Sequence, residues 1–410
     1  MVNWLSDPTA ISALILVSLG LLAVGGLMIL LVGLQRVFAT APCLADDEAS
    51  APLVNTSFTV VIPAYNEAAT IDRCLGSVLR SAPPAHDWHV IVVDDESSDA
   101  TASVAMATAE AHARSSAQVR VLPAGPRPSG EHWVGKNWAC TQAMESIQSE
   151  WVLFLDADVE LHPHTLRRAL RQAIAEQTDL FSLAPRLVCG CLAEWLVQPI
   201  MASLLGLGFP IQAANDPTSP VAFAAGPFML FNREAYDAIG GHRSLAAEVV
   251  EDLALARRIK TSGRRLRYCL GLDAVDLQMY PNFNALWEGW TKNWFLGLDR
   301  SVIKALGAGG VVLLMFSGPW LLAGSTGVAL AIGMLQPHAA AAAGLLSVIG
   351  IGLQLALRLW TWQRFAVPLR HWWLMGLGGL IVAAIAPTSV WRSLTGRGWT
   401  WKGRSLASSS

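Results

Sequence analysis

The stretch Trp151-Val152-Leu153-Phe154-Leu155-Asp156-Ala157-Asp158 ends a run of strand-forming apolar residues in two carboxylates one residue apart. In an extended segment the side chains at i and i+2 point the same way, so Asp156 and Asp158 would face one point at the tip of a buried strand. Hard divalent cations, Mg2+ or Mn2+, take oxygen ligands and commonly keep phosphate oxygens in the rest of their shell. The pair therefore suggests a metal-bound diphosphate. An isolated D-x-D reads equally well as a strand ending in a solvated turn, so the case depends on the other polar clusters. A first apolar run leads into Pro63-Ala64-Tyr65-Asn66-Glu67, and a second into Asp94-Asp95-Glu96-Ser97-Ser98-Asp99. Gly135-Lys136-Asn137 places a cation beside a residue whose lack of a side chain permits close backbone approach. Glu251-Asp252 opens an apolar-periodic segment that ends near Gly263, so the acidic pair falls in a first helical turn, where the helix dipole favours anions.

These clusters need a scaffold, and residues 58 to about 280 alternate short apolar strands with amphipathic helices. Strands are expected over 58–62, 89–93, 119–122 and 152–155. Helices are expected over 68–79, 98–113 (capped by Ser98 or Asp99), 138–147 and 165–175. That order gives a mostly parallel sheet covered by helices on both faces. Ligands of such sheets bind outside the carboxyl ends of the strands, where the carboxylates fall. His162 and His164 beside Pro163 read as the start of the helix that follows. Arg167, Arg168 and Arg171 read as a solvated or lipid-facing stripe, and Arg264, Arg265 and Arg267 as either that or a diphosphate contact.

The chain has 410 residues, 53% hydrophobic and 15% charged, against about 45–50% and roughly 25% in globular proteins. Membrane spans account for the shift. A net charge of −2 argues against a nucleic-acid partner. The six cysteines form no C-x-x-C pair and read as free thiols. Residues 11–34 form an uncharged apolar run of about 36 Å as a helix, enough to cross a bilayer and too long for a signal peptide. Asp7 precedes it and Arg36 follows, which places the N-terminus outside and the next domain in the cytoplasm. The expected organisation is an N-terminal anchor (1–36), a linker (37–57) with Pro42, Pro52 and the Asp46-Asp47-Glu48 cluster, a catalytic domain (58–300), a transmembrane region (301–392) and a basic or polar tail (393–410). Spans are expected over 311–335, 340–357 and 374–391, and 192–211, interrupted by Glu194, Gln198 and Pro199, reads as an interfacial helix or a membrane-facing acceptor wall. Four crossings would leave the tail outside, against its Arg392, Arg397, Lys402 and Arg404, so one C-terminal segment is expected to be re-entrant or interfacial.

The strings VIPAYNE, VVDDESSD, VGKNWA, FLDAD, GPFMLFNREAYDAIGGH and VVEDLALARRI resemble, in order and over residues 58–294, those of family 2 glycosyltransferases. The resemblance implies an α/β fold: a Rossmann-like nucleotide-diphospho-sugar transferase domain (GT-A type), here with flanking transmembrane helices. It implies a nucleotide-diphosphate sugar as donor, with Pro63, Tyr65 and Glu67 at the nucleotide, and Asp94, or Asp95 in its place, at the base. Lys136 and Glu251 would contact the donor, and Asp156 and Asp158 would carry the metal. Asp252 would be the general base that deprotonates a hydroxyl acceptor in one inverting displacement, and His242 would line the donor pocket or make a turn. Processive synthases of the family carry Q/R-x-x-R-W after the base. Here the region reads Gly289-Trp290-Thr291-Lys292-Asn293-Trp294, which leaves Lys292 for the diphosphate and Trp294 or Trp290 for stacking, and speaks against a polymer synthase. The short form resembles bacterial hopene-associated and carotenoid glycosyltransferases, which implies a membrane lipid of isoprenoid type as acceptor and the bilayer as a partner. Glycerolipid or sphingolipid transfer is the nearest rival. A non-catalytic membrane scaffold and a transporter are weaker ones, given the four retained aspartates and the few spans.

Overall fold

The computed structural model describes residues 8–46, 53–365, 367–397 and 399–406. Asp7 and the Asp47, Glu48 and Pro52 of the expected linker lie outside the described residues, as does the end of the tail. In chain order, helix α1 (Pro8–Ala39) precedes β1 (Leu53–Ala64), α2 (Ile71–Leu79), β2 (Ala85–Asp94), α3 (Thr101–Ala111), β3 (Gln118–Pro123), α4 (Gly135–Met144), β4 (Trp151–Leu155), β5 (Val159–Leu161) and α5 (Thr165–Ala175). Then come β6 (Leu180–Ala184), β7 (Arg186–Leu187), α6 (Leu192–Gly208), α7 (Ile211–Asn215), β8 (Phe228–Asn232), α8 (Arg233–Ala238), α9 (Glu251–Thr261), β9 (Leu266–Leu270) and β10 (Val275–Leu277). The C-terminal part holds α10 (Phe283–Gly297), α11 (Val302–Val312), a π-helical turn (Leu313–Ser317), α12 (Gly318–Ala331), α13 (Pro337–Phe365), α14 (Met375–Leu394), β11 (Trp399–Trp401) and β12 (Arg404–Leu406).

The chain divides into two compact units, one of Thr40–Val188, Phe209–Met279 and Gly398–Ser410, the other of Met1–Ala39, Cys189–Gly208 and Tyr280–Arg397. This differs from the expected segmentation in two places. Residues 189–208 and 280–300 group with the long helices, and the tail hairpin, residues 399–406, groups with the α/β unit.

The α/β unit is built on a seven-stranded sheet of order β3-β2-β1-β4-β8-β6-β9. β1 pairs in parallel with β2 and β4, and β2 with β3, while β8 runs antiparallel between β4 and β6. Alternation along the strands divides the side chains between two cores. Phe58, Val60 and Ile62 of β1, with Leu153 and Leu155 of β4, pack in one core with α2 and α5; Val61, Val152 and Phe154 face the other, with α4 and α9. A sheet buried on both faces needs such near-continuous apolar strands. β1 begins at Leu53, five residues before the expected start, because Leu53 already pairs with Ala85. The expected linker is further tied down by Arg168. Its guanidinium donates to the carbonyls of Leu44 and Ala45 and pairs with Asp46 and Asp273, so this arginine is a structural tie and not part of a solvated stripe. Arg264 and Arg267 pair with Asp179 and Glu176 at 3.2 and 2.7 Å, which commits both to holding β9 and corrects the diphosphate alternative. All six cysteines are free.

In the helical unit, four helices are long and apolar enough to cross a membrane: Thr9–Ala39, Val302–Ala331, Pro337–Phe365 and Trp372–Leu394. Small residues let them approach closely: a Cβ on Gly350 would come within 2.7 Å of Pro319, and one on Gly26 within 3.0 Å of Met315. α6 is a continuous helix despite Glu194, Gln198 and Pro199. Its polar groups are satisfied internally. Glu194 accepts the amides of Gly190 and Tyr280 at 2.8 and 2.9 Å, and Gln198 accepts the Trp290 indole N–H at 2.8 Å.

Candidate active site

The carboxyl ends of β1, β2 and β4 bring three loops together. The first two are laced to each other: Asn66, held at φ 52°, accepts the Ser98 amide at 2.8 Å, its own amide donates to Ser97 Oγ at 3.0 Å, and the Glu67 amide donates to Thr101 Oγ1 at 2.7 Å. Asp99 makes the expected cap-like contact, accepting the Thr101 amide at 2.9 Å, and also accepts Ala68 N–H. An asparagine tolerates the left-handed backbone better than most residues, which explains its place beside Tyr65.

The aspartate doublet splits into two environments. Asp95 is 3% exposed and is held by two guanidiniums, Arg127 Nη2 at 2.7 Å and Arg404 Nη1 at 2.5 Å. Burial pushes its pKa up against both arginines. Asp94 Oδ2 accepts the Ser97 amide at 3.3 Å, whereas its buried Oδ1 has no protein partner. Of the two, Asp94 has a buried acceptor free for a base. Gly135 serves Asp95 as well: a Cβ there would overlap Asp95 Oδ2, so the glycine makes room for a carboxylate of the protein itself.

β4 ends at Leu155, and Asp156 to Val159 form a turn closed by the Val159 amide on the Asp156 carbonyl at 3.2 Å. The two aspartates therefore lie in this turn and not in the strand itself, and the charge of Asp156 acts on Asp158. Asp156 Oδ1 receives Lys136 Nζ at 2.6 Å, and the same Nζ reaches Glu251 Oε1 at 2.6 Å. Burial opposes the charge on Lys136, and the two carboxylates outweigh it, holding its pKa well above the usual lysine value. Asp158 Oδ1 is buried without a hydrogen-bond partner. Burial, together with the charges of Asp156 and Glu67, raises its pKa well above the carboxylate range. An orphaned, electrostatically destabilised carboxylate oxygen fits a cation ligand. Among the described residues no group of three or more His, Cys, Asp or Glu side chains could hold a metal, so an ion here would draw its remaining ligands from phosphate and water, as Mg2+ and Mn2+ do.

Lys136 thereby joins the β4 corner to the start of α9, where Asp252 follows Glu251. Asp252 Oδ1 accepts the Leu253 amide at 2.7 Å and Oδ2 the Gly226 amide at 3.2 Å. The neighbouring Pro227 carbonyl accepts the Asp156 amide at 3.3 Å, a second link between the corners. A Cβ on Gly226 would lie 2.9 Å from Asp252 Oδ2, so only glycine leaves the carboxylate this position. Burial, then the charge of Glu251, push Asp252 up to about 6, against Lys136 and the Leu253 amide. His242 is buried, 2.7 Å from Tyr236 Oη, and burial lowers it to about 3. It is a neutral packing residue. His162 and His164 precede α5 as expected, with His162 against Asp276 at 3.3 Å.

Lys292 and Trp294 lie on α10 of the helical unit. Trp294 is buried and its indole N–H donates to the Ala305 carbonyl at 3.1 Å, which gives it a packing role there. Three cations were missed from the sequence: Arg127, Lys402 and Arg404. The signal for the last two was Trp399-Thr400-Trp401-Lys402-Gly403-Arg404, an alternating strand followed by an x-Gly turn, which reads as a hairpin more than as a loose basic tail.

Residues 59–240 match the family model described as Glycosyl transferase family 2. A 4,4'-diaponeurosporenoate glycosyltransferase of Staphylococcus aureus (strain MRSA252) is 29% identical over 267 residues, 63% of this chain and 66% of that protein. Its counterpart in strain USA300 is 28% identical over 263 residues with the same coverage. The match thus spans just under two thirds of the length of these curated relatives. Among solved structures, a mannosyltransferase of Pyrobaculum calidifontis, PcManGT, in complex with GDP-Man and Mn2+, aligns over 92% of this chain and 99% of its own with a TM-score of 0.54 at 20% identity. The likeness is one of fold, that of the GT-A transferases.

Proposed function

We propose that the chain is an inverting, metal-dependent glycosyltransferase that moves one sugar from a nucleotide-diphosphate sugar to a hydroxyl of a membrane lipid, an isoprenoid of carotenoid or hopanoid type. The observation that carries the proposal is the coupling, through Lys136, of a raised-pKa aspartate at the start of α9 to the acidic turn after β4. Asp94 Oδ1 takes the base, and Tyr65, Pro63 and Glu67 line the nucleotide. A Mg2+ or Mn2+ ion held by Asp158, with Asp156 beside it, would supply counter-charge to the departing diphosphate. The acceptor hydroxyl gives its proton to Asp252 as it attacks the anomeric carbon, and the diphosphate leaves from the opposite face, so the configuration inverts. The weaker amide bond at Oδ2 makes that oxygen the more basic of the two. The isoprenoid acceptor is supported by the name of the Staphylococcus relatives. That name also denotes a carboxylate, which favours a second reading in which an acid is esterified. A carboxylate needs no deprotonation, whereas Asp252, tuned to about 6, is suited to a hydroxyl.

The four apolar helices support an integral membrane enzyme, and Arg36 at the end of the first supports a cytoplasmic α/β unit. The tail hairpin belongs to the α/β unit, so the helices between them cross the bilayer an even number of times. α14 is the re-entrant one. It starts with Gly376 against Trp320, and α12 runs on from Trp320 to Ala331, about 16 Å further. A C-terminal tag on intact cells is expected to be inaccessible from outside; labelling there would refute this topology.

Cells that make the protein are expected to yield a glycosylated lipid, read by mass spectrometry, that disappears with Asp158→Asn. Purified Asp158→Asn is expected to bind nucleotide diphosphate at least about tenfold more weakly with Mn2+. An unchanged lipid profile with Asp158→Asn in place of the wild type would reject the proposal.

A further inference from the structure

The C-terminal hairpin is set on the same residues that the proposed donor site uses. β11 and β12 pair antiparallel, Trp401 opposite Arg404, through a turn in which Lys402 and Gly403 both have positive φ, 48° and 80°. Such a turn matches strand twist and holds the tip in one orientation. A lysine kept in a left-handed backbone is a local strain that the surroundings must over-determine, and its ammonium is anchored three ways: on Glu67 Oε1 at 2.5 Å and on the carbonyls of Tyr65 and Asn66 at 3.3 and 3.0 Å. The Arg404 guanidinium lies 4.0 Å from the Tyr65 ring centroid, pairs with Asp95 Oδ2 at 2.5 Å and donates to the Asp95 carbonyl at 3.1 Å.

These contacts surround an acidic region. The β1 and β2 loops contribute Glu67, Asp94, Asp95 and Glu96, and Asp156 and Asp158 follow. A nucleotide diphosphate is itself an anion and enters such a place only where cations offset it. Lys136 is shared between Asp156 and Glu251, and Arg127 pairs with Asp95 and Glu96.

Resting on the donor-site reading above, we propose that the hairpin is part of the donor site. Arg404 and Tyr65 form a stacked wall for the nucleoside, and Lys402 holds the Tyr65–Glu67 loop beneath it through its three contacts. A planar guanidinium on an aromatic ring presents a flat face to a base. The tail is thus a nucleotide-binding element supplied from more than 300 residues beyond the loops it completes.

The test uses the full-length protein in detergent, titrated calorimetrically with UDP and with GDP in the presence of Mn2+. Arg404→Ala is expected to weaken the diphosphate that the wild type binds by about tenfold. Arg404→Lys, which keeps the charge and loses the flat stack, is expected to recover less than half of that loss. Limited trypsin digestion gives a second measurement on the unaltered chain: cleavage after Lys402 and Arg404 is expected to slow severalfold when the nucleotide is bound. Equal or tighter binding by Arg404→Ala, or faster cleavage with nucleotide, overturns the role of the hairpin and leaves the donor site standing. A wild type that binds neither nucleotide overturns both.

Discussion

Replacing Asp252 with asparagine is expected to lower sugar transfer by about 10^2- to 10^4-fold, the usual contribution of a positioned general base, while donor affinity changes less than about twofold. The carboxylate is held by the Leu253 and Gly226 amides, and asparagine can still accept one of them, so the local backbone is preserved. The pH profile separates a base from a mere structural carboxylate. With the pKa raised to about 6, log kcat/KM of the wild type is expected to climb with unit slope to about pH 6 and to level off above it, because only the ionised form accepts a proton. The stability dependence has the opposite sense. Between 3.8, the ordinary value, and about 6, the folded state holds a proton that the unfolded chain has released, so stability from this group is present below that window and lost as pH rises through it. Asparagine carries no such cost. At pH 7.5 the variant is therefore expected to melt at the same temperature as the wild type or higher while being inactive. A flat profile through pH 6, or a variant retaining a tenth of the activity, would remove Asp252 from the reaction.

Lys136→Met is expected to do the greatest damage to the fold of the site. One ammonium lies 2.6 Å from both Asp156 and Glu251, and Asp252 feels its charge as well. Methionine fills much of the volume but leaves clustered carboxylates without a cation. Breaking a buried pair by removing one partner costs about 3–5 kcal/mol; with Lys136 and Asp156 each a quarter or more exposed, a loss of roughly 2–4 kcal/mol is expected, read from denaturant midpoints. A second consequence distinguishes this from simple loosening. Lys136 lowers the pKa of Asp252, so in the variant the break in the pH profile moves above 6. An unmoved break with unchanged stability would show that the two corners are not coupled through this residue.

The α/β order, the two-faced sheet and the apolar helices were legible because they rest on periodicity, a local property of the chain. The acidic positions at strand ends were legible for the same reason: Asp94 and Asp156 stand immediately at or after β2 and β4. Their pairing was not. The two aspartates were expected at the tip of the strand, but the turn into β5 holds them, with one on Lys136 and the other's oxygen unpartnered. The doublet Asp94-Asp95 was ambiguous in sequence because the residues differ only in what Arg127 and Arg404 do. Likewise Arg264, Arg267 and Arg168 looked available for anions until Asp179, Glu176 and Asp46 were found opposite them.

The sequence by itself determined which residue types stand at the ends of which strands, and so the class of chemistry, because hydrophobic period and turn chemistry act over a few residues. Only the tertiary structure decided which carboxylates keep free oxygens, that Lys136 ties the Asp156 and Glu251 corners 95 residues apart, and that the far C-terminus returns to the nucleotide loops. Ion pairing and desolvation depend on distances in space between groups remote in the chain, and those distances exist only once the sheet has closed around them.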